Sequence, residues 1–292
     1  MAGIDVNRTT DGVRLDPVAA AEIWSAAEEA SAAMTLANQI PLPGPGVTVD
    51  IITGEPEAEW VAETDEKPVS RPTLGSKLMT PYTLAVIVPF SNQFRRDKAR
   101  LYSELVRKLP GALAKKFDQT VFGSVTAPGA NFDKLSTAAA IGLGGDTYGA
   151  VVEADQAVAN GGGELTGWAI SPQGRGLLLG ARDDMGRPLF IPDVNSTNRV
   201  GSILGAPVAQ SKGVYLSGSP NQIGFAGDWS SANWGSVEGV SVDFADQATL
   251  TDGEDIINLW QRNMFAVRAE VEIGFRVRDI AHFVKLTDGT GS

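Results

Sequence analysis

The chain has 292 residues, 43% of them hydrophobic, with one histidine, no cysteine and a net charge of −11. Disulfides, thiolate metal sites and cysteine nucleophiles are therefore excluded, and the single His282 argues against most zinc centres and against a Ser/His triad. Thirty-five acids against 24 bases oppose tight clamping of phosphates, although a neutral or acidic wall suits loose enclosure of DNA.

The length buries a real core in one large or two modest domains, and the mean hydropathy of −0.04 is that of a soluble globular protein. No apolar run approaches the ~20 residues of a membrane span, and residues 1–11 lack the apolar region of a signal peptide. The expectation is a protein of the cytosol, or one that assembles there. On that expectation the glycosylation patterns beginning at Asn7 and Asn195 are chance matches.

In chain order, residues 17–38 are alanine-rich and predict a helix, with Asp16 as N-cap, Pro17 at its first position and Glu22 in its first turn. Its apolar face of Ile23, Ala27 and Ala30 is weak, and the Pro/Gly run at 41–46 stops it. Residues 1–46 are read as an arm with little core of its own, ordered mainly by neighbours.

Residues 54–77 crowd Glu55, Glu57, Glu59, Glu63, Asp65 and Glu66 around Trp60 and Val61, then turn basic at Lys67, Arg71 and Lys77. Such a segment cannot be core, and its length and polarity predict a projecting hairpin that lies on another molecule. Residues 82–90 form a β-branched and aromatic run that predicts a strand. Leu101, Leu105, Leu109, Leu113, Phe117 and Val121 then recur every four residues, predicting a helix of some twenty residues that ends at Gly123 and kinks at Pro110.

From 138 to about 239, glycine punctuation between short apolar runs predicts a separate inserted α/β domain. The chain closes on a long strand: Phe265, Val267, Ala269, Val271, Ile273, Phe275 and Val277 alternate with mostly charged residues, giving roughly 43 Å of unbroken period two. An elongated domain needs such a strand; a compact enzyme rarely does.

Enzymatic signatures fail one by one. Gly142-Leu143-Gly144-Gly145 is read as lacking a preceding strand and carries no phosphate-loop Lys-Ser/Thr, and Gly161-Gly162-Gly163 precedes no clear helix. No Gly-x-Ser-x-Gly elbow occurs. Asp183-Asp184 beside Gly186-Arg187-Pro188 reads as a solvated turn, and His282, on a strand pattern, as a packing residue rather than a ligand. No metal or cofactor is expected.

This order of parts resembles the tailed-phage major capsid proteins with the Hong Kong 97-type fold, an α+β fold, in the actinobacteriophage style. The resemblance is carried by Glu66-Lys67-Pro68, the run Val88-Pro89-Phe90-Ser91-Asn92, Ala112-Leu113 with Phe117-Asp118 and Gly123, the run from Asp184 through Phe190, Leu204-Gly205-Ala206-Pro207-Val208, Gly227-Asp228-Trp229, Asn263-Met264 through Glu270, and Phe283-Val284-Lys285-Leu286. It covers about residues 20–287.

The resemblance implies an N-terminal arm (1–46), a first peripheral part (47–137) with an extended loop at about 52–82 and a spine helix at about 99–123, an axial domain (138–238) and peripheral return strands (239–292). It implies pentamers and hexamers that close into an icosahedral shell around double-stranded DNA, in a virion assembled in the host cytoplasm. Portal and decoration proteins are implied partners, with a separate scaffolding protein or none, because a fused scaffolding segment does not fit before Pro17. The same fold builds encapsulin-like compartments, the alternative reading, and a glycine-rich α/β enzyme is the rival of another class.

The resemblance also implies an inter-subunit isopeptide cross-link, with Lys67 and Asn263 as the joined residues and Glu270 as the base. Glu270 lies seven positions beyond Asn263, so on one extended strand the two would stand ~23 Å apart on opposite faces. The three groups must then come from different subunits. The simpler alternative makes Lys67 a solvated loop charge, Asn263 a strand-edge amide and Glu270 a salt-bridge partner of Arg268 or Arg276.

Overall fold

The computed structural model describes residues 17–52, 60, 61, 67, 69, 74–93, 98–182, 201–252 and 255–290, with the side chains at 17–22, 51, 52, 74, 98–107 and 252 outside that description. Asp16, the acids of the 54–77 segment, Arg71, the side chains of Leu101 and Leu105, Asp183-Asp184 and the run 184–190 therefore lie outside the described residues.

The chain opens with helices α1 (Pro17–Ala30) and α2 (Ala32–Leu36), a short strand β1 (Asn38–Gln39), and the hairpin strands β2 (Val47–Ile52) and β3 (Leu74–Met79). Strand β4 (Tyr82–Ser91) leads into helix α3 (Lys98–Val121). Next come β5 (Ala139–Gly142), α4 (Thr147–Asn160), β6 (Gly167–Ile170), α5 (Pro172–Gly180), β7 (Ser202–Ile203), β8 (Ala206–Gln210) and β9 (Gln222–Gly227). The last strands are β10 (Ala232–Ser236), β11 (Ser241–Ala245), the hairpin β12 (Thr249–Asp252) and β13 (Asp255–Asn258), β14 (Met264–Val277) and β15 (Phe283–Thr287).

Strand β14 organises the first sheet. Its fourteen residues span ~46 Å, enough to take β4 along one edge, while β11 and β10 follow each other along the other. Phe265, Val267, Ala269 and Val271 bury against Leu109 and Leu113 of α3 and against Ile23 of α1. The long helix thus packs on the long strand. The helix runs through Pro110 and stops at Val121, and Gly123 beyond it takes φ +87°, a left-handed conformation that costs glycine nothing.

The second sheet has the order β5-β15-β9-β6-β8-β7, with α4 and α5 packed on it. Two strands lie on other sides of the 238/239 boundary than their sequence positions suggested: β10 belongs to the β14 sheet, and β15 to the second sheet, between β5 and β9. The two sheets also share one core. Phe117, Phe132, Ile273 and Phe275 from the first side meet Ala169, Phe225 and Phe283 from the second, so the glycine-rich region is not packed separately from the rest.

The expectation that residues 1–46 lack a core is corrected for the described part. Ile23, Ala27, Ala32 and Ala33 are fully buried, and Leu42 packs with Val49 and Met79. Alanines contribute little area each, yet they let α1 and α2 lie close to α3, which a count of large apolar residues cannot register. Asp118 on α3 fixes this contact. Its buried carboxylate accepts from Ser31 Oγ (2.6 Å) and from the N–H groups of Ala32 (3.0 Å) and Ala33 (3.2 Å), satisfying orphan donors at the start of α2, while Ser31 Oγ accepts from Met34 N–H. Burial pushes the Asp118 carboxyl up, against the lowering effect of its bonds from Ser211, Ser31, Ala32 and Ala33. Gly213 faces it so closely that a Cβ there would stand 2.5 Å from Asp118 Cβ.

Candidate assembly surface and cross-link residues

The segment expected to project is flanked by a hairpin whose two strands are fixed by this chain alone. β2 and β3 pair antiparallel from Val47↔Met79 to Ile52↔Leu74, and residues 53–73 connect the two strands in sequence. Lys77 Nζ donates to Val277 O (2.8 Å) and Arg278 O (3.1 Å) and lies 3.8 Å from Asp133. Arg276, only 8% exposed, donates to Leu78 O (2.9 Å), Asp133 Oδ1 (2.7 Å) and Asn131 Oδ1 (2.9 Å). The second Asp133 oxygen accepts from Val277 N–H at 3.0 Å.

One sequence expectation changes here: Lys77 is not a free docking charge but holds the carbonyls at the end of β14. Of the two arginines open to Glu270, Arg276 serves the hairpin base and Arg268 makes the pair. Between the two strands in sequence, Trp60 is 104% exposed, and Lys67 and Val69 are also exposed. An exposed tryptophan on a polar projection gains nothing within this chain and suits burial against another molecule.

Asn263 is exposed, in the turn before β14 rather than on a strand edge, with φ +51°, which asparagine tolerates better than most residues. Its amide is held from the end of β4. Asn92 N–H donates to Asn263 O (3.0 Å), and Asn92 Nδ2 donates to Asn263 Oδ1 (2.8 Å). Trp260 in the same turn is 72% exposed, and Ile256 on β13 is 68% exposed.

Glu270 sits well along β14, paired with Ala85 of β4 and Ser241 of β11. Its carboxylate lies 3.4 Å from Arg268 Nε, and Arg268 also donates to Asp243 at 2.8 Å. Asp243 first and Glu270 second push the Arg268 guanidinium up. Glu270 is half-buried and ion-paired in the single chain, where the cross-link chemistry asks for a desolvated carboxylate. Six residue steps of extended β14 separate Met264 from Glu270, ~20 Å, so one chain does not bring Glu270 to its own Asn263.

The nucleotide reading gains a strand and still fails. β5 does precede Gly142-Leu143-Gly144-Gly145, contrary to the sequence expectation, and α4 follows it. The N-terminus of α4, however, is capped by the Asp146 carboxylate, which accepts from Gly149 N–H at 3.0 Å where a phosphate would have to sit. His282 lies in a 3₁₀ turn (Ile280–His282), not on a strand, packed on Gly163. No metal-ligand cluster exists among the described residues, and none of their helices is long and apolar enough to cross a membrane.

A sequence model described as the Phage capsid family matches residues 11–288. The chain belongs to that family. It is 32% identical to the probable major capsid protein gp17 of Mycobacterium phage L5, across 94% of this chain and 89% of that protein. A solved chain from Gordonia phage Cozz superposes with a TM-score of 0.69 at 24% identity, over 88% of this chain and 86% of that one. A chain described as the capsid of an empty GTA particle, computed with C5 symmetry, gives 0.63 at 14% identity over 90% of each. The fold is thus the Hong Kong 97-type capsid fold, and the chain is a structural protein of phage virions that associates with its own copies in a shell.

Proposed function

We infer that this chain is the major capsid protein of a tailed phage, closing as pentamers and hexamers into an icosahedral shell around double-stranded DNA. The observation that carries the reading is the near end-to-end match to the probable major capsid protein of Mycobacterium phage L5, 94% of this chain against 89% of that one. An encapsulin-like compartment is not favoured by a capsid-family match over residues 11–288.

In this reading the β14 sheet with α3 is the peripheral domain, and the six-stranded sheet with α4 and α5 is the axial domain. The hairpin beyond Ile52 and Leu74 is the extended loop that lies on a neighbouring subunit. Its internally clamped base supports this, because a rigid base aims an exposed tip outward. Scaffolding, portal and decoration proteins are the proposed further partners, with assembly in the host cytoplasm, and the net charge of −11 suits a wall that contains DNA without gripping it.

We place an isopeptide cross-link between Lys67 of one subunit and Asn263 of a second, with Glu270 of a third as base. Lys67 and Asn263 are both exposed, as a bond across subunits requires. The neutral lysine amine attacks the asparagine carboxamide, an amide C–N bond forms, and ammonia leaves; the carboxylate relays the proton from the lysine ammonium to the departing nitrogen. Mature particles, treated with nuclease and then boiled in denaturant, test both parts. The expected result is protected double-stranded DNA and a ladder of multimers that disappears in Lys67→Arg, Asn263→Asp and Glu270→Gln. A single monomer band from wild-type particles would overturn the cross-link, and particles without DNA would overturn the phage shell.

A further inference from the structure

The reacting amide has a partner that its sequence position does not announce. Asn92 ends the β4 side of the ribbon at the point where Asn263 begins the β14 side, with Ser91 opposite Met264 in the register. It grips Asn263 twice, by N–H to the backbone carbonyl at 3.0 Å and by Nδ2 to the side-chain Oδ1 at 2.8 Å. Its own Oδ1 is buried and has no hydrogen-bond partner among the described residues.

We propose that Asn92 is a catalytic residue of the cross-link, donating through Nδ2 to the oxygen on which charge develops. This rests on the cross-link reading above. When the Lys67 nitrogen of another subunit adds to Asn263 Cγ, the carbonyl π pair moves onto Oδ1, the atom that already accepts from Asn92 Nδ2. A donor fixed before the reaction strengthens as that oxygen becomes anionic and needs no reorganisation to do so. Collapse of the adduct reforms the carbonyl and expels Nδ2 as ammonia, with the proton relayed by the carboxylate. The Asn92 amide is unchanged at the end. Nδ2 of Asn92 thus polarises the electrophile.

The left-handed turn at Asn263 makes this grip specific. With φ at +51°, its side chain leaves the strand direction and is directed back to Asn92 instead of along the β14 ladder. The carboxamide is therefore held at two points while its residue stays exposed to a neighbour.

The test follows the rate at which multimer bands appear in assembled shells of the wild type, Asn92→Asp, Asn92→Ala and Lys67→Arg. Asn92→Asp keeps the shape and the backbone bond to Asn263 O but replaces the Nδ2 donor with an acceptor. Cross-linking should slow by on the order of 10²- to 10³-fold in Asn92→Asp and Asn92→Ala, as for the loss of one oxyanion donor. Shell size and shape should be unchanged, as should the melting temperature measured in a Lys67→Arg background, where no cross-link contributes. If Asn92→Asp does not assemble, Asn92→Ala decides. Wild-type rates in the variants that assemble, or a slowing matched by an equal loss of shell stability in the Lys67→Arg background, overturn the role of Asn92. If Lys67→Arg abolishes the ladder and Asn92→Asp does not slow it, only Asn92 falls; wild-type shells that never form a ladder overturn the cross-link reading together with it.

Discussion

Phe117→Ala should destabilise the folded chain by about 3 to 5 kcal/mol, the cost of a large cavity where two sheets meet. Phe117 is 2% exposed and makes edge contacts with Phe132 (6.2 Å) and Phe275 (6.2 Å), so the change removes packing and two favourable ring geometries together. Phe275 comes from β14 and shares its cluster with Phe225 and Phe283 of the other sheet, so the damage spreads to both. Leu113→Ala, in the buried cluster that holds Val267 and Val271, should cost ~2 to 5 kcal/mol by the same mechanism. Denaturant titration of soluble subunits measures both, and wild-type midpoints would mean that the stripe on α3 faces a partner rather than a core.

Deleting residues 57–73 should leave a folded, soluble chain that cannot close particles. The base strands would then be joined by residues 53–56, a length that hairpins use routinely, and Ile52 would still pair with Leu74. Folding should survive because the clamps at the base, Lys77 on Val277 O and Arg276 on Leu78 O, lie outside the deletion, as does Met79 in its buried cluster. Assembly should fail because the deletion removes Trp60, Lys67 and Val69, exposed positions on the projection. Circular dichroism with negative-stain microscopy reads both halves, and normal closed shells from the deletion would refute the docking role of the loop.

The parts of the fold that could be read in the sequence are those with a strict period and one buried face. The alternation from 265 to 277 and the four-residue stripe ending at Val121 each place apolar side chains on one side of an element, and the structure buries those described residues against each other. Sheet membership could not be read. The pattern marks Phe283–Thr287 as a strand, but its partners β5 and β9 are remote in sequence, and nothing local selects them over β14. Charge was equally ambiguous: Lys77 and Arg276 look like solvated bases, and only the meeting of β3 with the end of β14 reveals that backbone carbonyls and Asp133 hold them. Small residues misled in the opposite direction, as Ala32 and Ala33 show by being fully buried around Asp118.

At the proposed cross-link, residue types carried the resemblance but not the geometry. The separation of Asn263 and Glu270 was legible from spacing, because an extended strand has a fixed rise. The turn at Asn263 and its bonds to Asn92 were not, since they depend on which strand ends beside β14 and in what register. The signal that would have exposed Asn92 is the pairing of 82–91 with 264–273, after which an asparagine one step past each end becomes a conspicuous pair.

Size-exclusion chromatography and negative-stain microscopy of the expressed chain test the shell assignment most directly. Identical copies should elute as capsomers or larger and appear as five- and six-fold assemblies or closed icosahedral shells. A stable monomer or small oligomer that never forms capsomers or shells would contradict the account.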